Sequence, residues 1–151
     1  MRLLRRLLEQ LGSDLDFDES DIMTINNQYF LLSKELKTSV IEKNSLVYAG
    51  EYIGKDQRRF VPSSILLERL GRESSTRKAY VEQDAAWLFI CGKDIFEENI
   101  LSFDGELVLG NHYLIMLGSW CLGYGRFETS ADKRVIRNMF DIGDFLRRED
   151  S

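Results

Sequence analysis

One polar stretch, Gly71-Arg72-Glu73-Ser74-Ser75-Thr76-Arg77-Lys78, falls almost at the middle of a 151-residue chain and separates two halves rich in apolar periodicity. A domain of such a size buries only about 60% of its unfolded surface, near the limit at which a chain folds alone. Two halves that small must therefore pack on one another. The chain's single proline, Pro62, also argues against an extended spacer. The boundary predicts one domain over residues 1–75 and a second over 76–151.

In the first half, Leu3, Leu4, Leu7, Leu8 and Leu11 recur at helical spacing, with Arg2, Arg5, Arg6, Glu9 and Gln10 opposite and Gly12 as a stop. The spacing predicts a packing helix. The alternative is a basic helix lying on a phosphate or membrane surface, but so short a helix is only marginally stable outside a fold. The acidic run from Ser13 to Asp21 alternates carboxylates as a calcium loop does. Glu19 stands where that loop needs glycine and Ile25 where it needs a bidentate carboxylate, so a solvated loop is predicted instead. Strands at 22–25 and 28–32 flank Asn26-Asn27, residues that tolerate positive φ, which predicts a tight hairpin. Ser33 is the expected cap of a helix over 34–42. Strands at 46–49 and 52–53 flank Gly50, and Pro62-Ser63-Ser64 opens a helix that Gly71 closes. This is a compact α/β unit.

The second half has shorter elements and more glycine. Ala79-Tyr80-Val81 reads as a strand, Gln83 or Asp84 as the cap of a short helix over 85–90, and Gly92 as its end. Strand-like runs follow at 94–96, 106–109, 112–117, 120–127 and 135–140. Many short strands with glycine turns and one helix predict a small β-barrel, and the whole chain reads as α+β.

The rare residues exclude several chemistries. His112 is the only histidine, which forbids a site with two His ligands, and no serine or cysteine is recognisably paired with it as a nucleophile. An enzyme is not predicted. Cys91 and Cys121 form no CxxC pair, sit in apolar runs and read as reduced core thiols of a cytoplasmic protein. Arg5 and Arg6 interrupt what would be the apolar region of a signal peptide, and no apolar run is long enough for a membrane span. Gly118 and Gly123 have P-loop spacing, but Tyr124 stands where the lysine belongs; Gly123-Tyr124-Gly125 begins a dinucleotide fingerprint that Glu128 breaks. No cofactor is indicated, and these glycines are expected to mark a bend or bulge.

Three stretches, taken in order, carry a resemblance. Trp87 to Ile100, then Gly110-Asn111-His112-Tyr113-Leu114-Ile115-Met116-Leu117, then Leu122-Gly123-Tyr124-Gly125 resemble a PUA domain, the RNA-binding barrel named after pseudouridine synthases and archaeosine transglycosylases. The ending Asp141-Ile142-Gly143-Asp144-Phe145-Leu146-Arg147-Arg148-Glu149 is similar to that of the Nip-seven family of ribosome-biogenesis proteins. Tyr29 to Leu36 and Ser45 to Lys55 resemble that family's pre-PUA domain. The resemblance implies a non-enzymatic, two-domain factor in which an α/β pre-PUA half packs on a PUA barrel and binds rRNA. Its implied partners are ribosome-assembly or RNA-processing proteins. The chain is shorter than eukaryotic members after Lys93 and at its start, and looks more like an archaeal or minimal relative. An adaptor that holds proteins with little direct RNA binding is the alternative.

Charge narrows where RNA could bind. The chain carries 20 Lys and Arg against 25 Asp and Glu, a net charge of −5, which excludes a uniformly basic binder. The second half holds nine cations against 13 acids, the first half 11 against 12. Positive charge must therefore be gathered locally. The resemblance points to the turn after the barrel's helix and to strands near the C-terminus, which selects Lys93, Arg126, Arg137, Arg147 and Arg148 as the predicted RNA-contacting residues.

Overall fold

The computed structural model describes residues 1–32, 50–144 and 147. The helix predicted over 34–42 with its Ser33 cap, the strand predicted over 46–49, and Arg148 lie outside the described residues.

Helix α1 (Arg2–Gln10) forms where the leucines predict it and buries Leu4, Leu7, Leu8 and the following Leu11, with Gly12 at φ +70° ending it. The acidic stretch ends in a single 3-10 turn in which the Asp18 carboxylate accepts from Ser20 N at 3.0 Å. Strands β1 (Ile22–Ile25) and β2 (Gln28–Leu31) form the expected hairpin, with Asn26 at φ +57°. Strands β3 (Glu51–Asp56) and β4 (Phe60–Pro62) complete a four-stranded antiparallel sheet in the order β1-β2-β3-β4. Helix α2 (Ser64–Arg72) starts on the Ser63 hydroxyl, which accepts from Leu66 N at 3.1 Å, and ends with Arg69 and Arg72 against its dipole. Gly71 does not close this helix; it lies inside it. A Cβ there would come within 3.3 Å of the Met116 methyl, so the glycine lets α2 lie close on the other half of the chain.

The second sheet contains β5 (Lys78–Val81), β6 (Ile95–Phe96), β7 (Ile100–Phe103), β8 (His112–Leu117), β9 (Trp120–Ser130) and β10 (Lys133–Asp141), in the order β6-β10-β9-β8-β5-β7. Helix α3 (Gln83–Ile90) lies between β5 and β6 in the chain. The six strands curl into half a barrel, so the class is mixed α+β. Part of that curvature is written in glycine. Gly123 has φ +146°, and a Cβ on it would fall 2.0 Å from the Phe140 carbonyl oxygen; the register shifts close by, between Asn138 and Phe140.

Three further local expectations fail, and one strand was missed. Residues 106–109 are not a strand: the Tyr113 hydroxyl accepts from Val108 N and donates to Glu106 O, both at 2.9 Å, and so satisfies backbone that would otherwise need a partner. The strand β7 next to them was not predicted, because its residues are half-buried or exposed and show no alternation. Glu82, not Gln83 or Asp84, is the cap residue of α3. Cys91 is exposed rather than a core thiol, whereas Cys121 is enclosed enough that burial pushes its thiol up to about 12.

The apolar core has two parts, one on each face of the curled sheet. Ala79, Phe89, Ile95, Tyr113, Ile115, Phe127 and Ile136 pack between the sheet and α3. On the other face, Leu114, Met116, Tyr124 and Phe140 pack directly with Leu4, Leu7, Leu11, Phe60, Leu66 and Leu70 of the first half. Alternation along β8 assigns its residues to the two faces in turn. Because the second cluster belongs to both halves, Leu114→Ala or Leu66→Ala should cost about 2–5 kcal/mol. Urea unfolding followed by Trp87 and Trp120 fluorescence should then coincide with unfolding followed by far-UV circular dichroism, both shifted to lower midpoint; separate transitions would contradict a shared core.

Candidate functional site

Cross-strand register creates the site. His112 on β8 stands opposite Arg126 on β9, and Arg126 stands opposite Arg137 on β10, so the three side chains form one row on one face of the sheet. Like charges directly opposite repel. Glu128 offsets part of that repulsion, with its carboxylate 3.8 Å from Arg126 and 3.5 Å from Arg137.

The first half brings further arginines up to this row. Arg77, at the junction of the halves, donates through Nε to His112 O at 3.2 Å and through Nη2 to Gln10 O at the end of α1, while its backbone N donates to Leu11 O at 3.0 Å. It thereby ties the C-terminal end of α1, where a cation is favoured by the dipole, to the start of β8. The turn between β3 and β4 carries Arg58 and Arg59. Arg59 donates to Met139 O at 3.1 Å and to Met139 Sδ at 3.0 Å, which fixes the turn to β10.

The result is a groove of about 580 Å³ between the halves, in which Arg6, Arg58, Arg59, Arg77, Arg126 and Arg137 face one acid, Glu9. A second cavity of about 590 Å³ shares Arg58, Arg59, Phe60, Tyr124 and Met139 with the first and extends it to Asp141, Asp144 and Arg147. Phe60 and Tyr124 form an apolar floor. His112, 7% exposed, registers the field of this groove. Burial, then Arg126, Arg77, Arg59 and Arg137, push its imidazole down to about 4, so it is neutral at ordinary pH. A concave, positive, partly apolar groove suits phosphate groups joined to flat bases. No group of three His, Cys, Asp or Glu side chains among the described residues is gathered to hold a metal ion.

The predicted RNA-contacting residues separate. Arg126 and Arg137 lie side by side in the groove. Arg147 lines only the outer cavity, and its guanidinium is engaged: it donates to Asp141 Oδ1 and Oδ2 at 3.1 and 2.9 Å and to Ile90 O at 2.6 Å, which pins the C-terminal turn to the end of α3. Lys93 is exposed on the turn after α3 and lines neither cavity. Arg6, Arg58, Arg59 and Arg77 escaped the sequence reading. The available signals were the adjacent pairs Arg5-Arg6 and Arg58-Arg59, and nothing in linear sequence says that they meet Arg126.

The curled half-barrel sheet is consistent with a PUA-type fold. Residues 77–150 match the family description "UPF0113 PUA domain", so the second half of the chain is a PUA domain. Over 97% of this chain and 94% of the other, the fold is similar to that of a conserved PUA domain protein from Thermoplasma acidophilum, with a TM-score of 0.51 and 16% sequence identity. No curated protein matches the sequence closely. PUA domains generally bind RNA, which is the kind of partner this half implies.

Two measurements check the electrostatics. Because the folded imidazole of His112 resists protonation, the unfolded chain takes up the extra proton between about pH 6.5 and 4, and stability falls as pH drops through that window. His112→Gln should therefore flatten the fall of Tm with acidification; an unchanged slope would contradict the assignment. Arg147→Ala should cost about 1–3 kcal/mol, since the buried Asp141 carboxylate loses its bidentate partner and keeps Asn138 Nδ2 as a donor at 3.0 Å. A midpoint unchanged in denaturant would show that the pair is not structural.

Proposed function

We propose that this is a non-enzymatic, cytoplasmic RNA-binding protein that contacts RNA through its PUA half, and that it serves ribosome assembly by holding rRNA. The observation that carries the reading is the groove in which Arg6, Arg58, Arg59 and Arg77 join Arg126 and Arg137 around neutral His112, which concentrates positive charge in a chain of net charge −5. In this reading the first half is a pre-PUA domain, as its resemblance to the Nip-seven family implies. Phosphates meet the arginines, and the acidic remainder of the surface restricts RNA to the groove.

One observation also supports protein partners. Trp87, 64% exposed, and Trp120, 72% exposed, meet with Leu88, Leu117, Leu122 and Ile142 in an apolar hollow of about 650 Å³ on the α3 side of the sheet. Among the described residues its single charged lining residue is Asp84, so it is unsuited to phosphate. Exposed tryptophans around an apolar hollow suit a protein of an RNA-processing assembly, which is the adaptor reading.

Binding of a labelled 12-nucleotide uridine strand, followed by fluorescence anisotropy, tests the function. Affinity should fall as salt rises, with a log-log slope of about −0.7 for each phosphate contacted. Arg126→Ala/Arg137→Ala should weaken binding about tenfold or more at low salt and make that slope shallower by about 1.4. Absence of binding by the intact protein at low salt would overturn the RNA reading. Capture of ribosome-assembly proteins that survives nuclease and is lost in Trp87→Ala/Trp120→Ala would favour the adaptor.

A further inference from the structure

The groove is not a property of the barrel alone. Its second wall is built by the first half, from Arg6 on α1 and from Arg58 and Arg59 on the β3–β4 turn. Arg59 and Arg77 have carbonyl partners, and Arg126 and Arg137 share Glu128. Arg6 and Arg58 are exposed and form no ion pair among the described residues. These two guanidinium groups, unpaired among the described residues, thus face the His112 row across an apolar floor, in a groove where all the other charged lining residues but Glu9 are also arginines.

We infer that the groove is a composite site which clamps one single strand of RNA, with phosphates met from both walls, by Arg6 and Arg58 of the first half and by Arg126 and Arg137 of the PUA domain. The inference rests on the RNA reading above and assigns to the first half a direct part in binding. The geometry selects a single strand over a duplex. The groove is concave and lined by arginines on both walls, so a flexible strand within it is reached from either side. A duplex has its phosphates on a convex outer surface and would touch only the rim of such a cleft. Phe60, Tyr124 and Met139, which line the floor, exclude water beneath the strand and strengthen each contact above them.

Neutral His112 supplies an internal reporter. Arg126, Arg77, Arg59 and Arg137 are the charged groups that lower its pKa, and burial acts in the same direction. A phosphate in the groove offsets those four charges, so the strand should raise the titration midpoint of His112. As the only histidine, its imidazole proton resonances are unambiguous.

The experiment compares Arg6→Ala/Arg58→Ala with the parent protein, using the same 12-nucleotide uridine strand and a hairpin duplex of equal charge. The variant should keep its Tm, since both side chains are exposed. It should bind the strand about tenfold or more weakly at low salt, with a log-log slope shallower by about 1.4, two phosphates at about 0.7 each. Arg6→Lys/Arg58→Lys should recover most of the loss, and the strand should move the His112 titration upward in the parent protein. Undiminished strand binding by Arg6→Ala/Arg58→Ala, alongside loss in Arg126→Ala/Arg137→Ala, overturns the composite site and leaves RNA binding to the barrel alone. Loss on Lys93→Ala in its place, or tighter binding of the duplex, overturns it as well. Failure of the parent protein to bind either RNA removes the functional reading and the composite site together.

Discussion

The apolar cluster that crosses between the halves fixes everything else in the molecule. Leu114, Met116, Tyr124 and Phe140 present one face of the curled sheet to Leu4, Leu7, Leu11, Leu66 and Leu70, and the two groups bury each other in one cluster. Halves of this size are marginal alone, so the contact between them is a condition of folding and not a later docking step. The groove inherits its dimensions from that contact. Its walls cannot separate without exposing core, and its arginines are held in place before any ligand arrives, which lowers the conformational cost of binding.

Gathering six arginines requires compensation, and for four of them it is visible. Glu128 stands near both Arg126 and Arg137; Met139 O receives Arg59; the end of α1 and His112 O receive Arg77. Carbonyl oxygens carry most of this work. They hold a guanidinium without cancelling its charge, whereas a carboxylate would neutralise it. The net charge of −5 does not oppose the groove, because exposed charges beyond about 8 Å are largely screened at physiological ionic strength.

Much of the fold was legible because its signals are local. The leucine spacing of α1, the Asn26 turn, the Ser63 cap and the apolar runs of β8, β9 and β10 each depend on neighbours a few positions away. Gly71 and the 106–109 run misled because distant contacts decide them: the Met116 methyl beneath α2, and the Tyr113 hydroxyl that holds the loop. The site was half legible for the same reason. Arg126 and Arg137 stand on adjacent antiparallel strands and could be anticipated, but Arg6, Arg58 and Arg59 reach them only through the shared core. Arg147 looked like a surface cation because its partners, Asp141 and the Ile90 carbonyl, become visible only once the C-terminal turn is seated on α3.

Strand alternation also separates the two surfaces that the proposed function would use. Along β8, His112, Leu114 and Met116 point to the groove side, while Tyr113 and Ile115 point to α3 and the side of the tryptophan hollow. A sheet's thickness of packed side chains therefore lies between an arginine-lined surface and an apolar one. Phosphate has nothing to bind in the tryptophan hollow, where Asp84 is the only charged lining residue among the described residues, and an apolar protein segment would have to desolvate guanidinium groups to enter the groove. The two surfaces select different chemistries and do not compete for space. An RNA strand in the groove would therefore leave the tryptophan hollow uncovered.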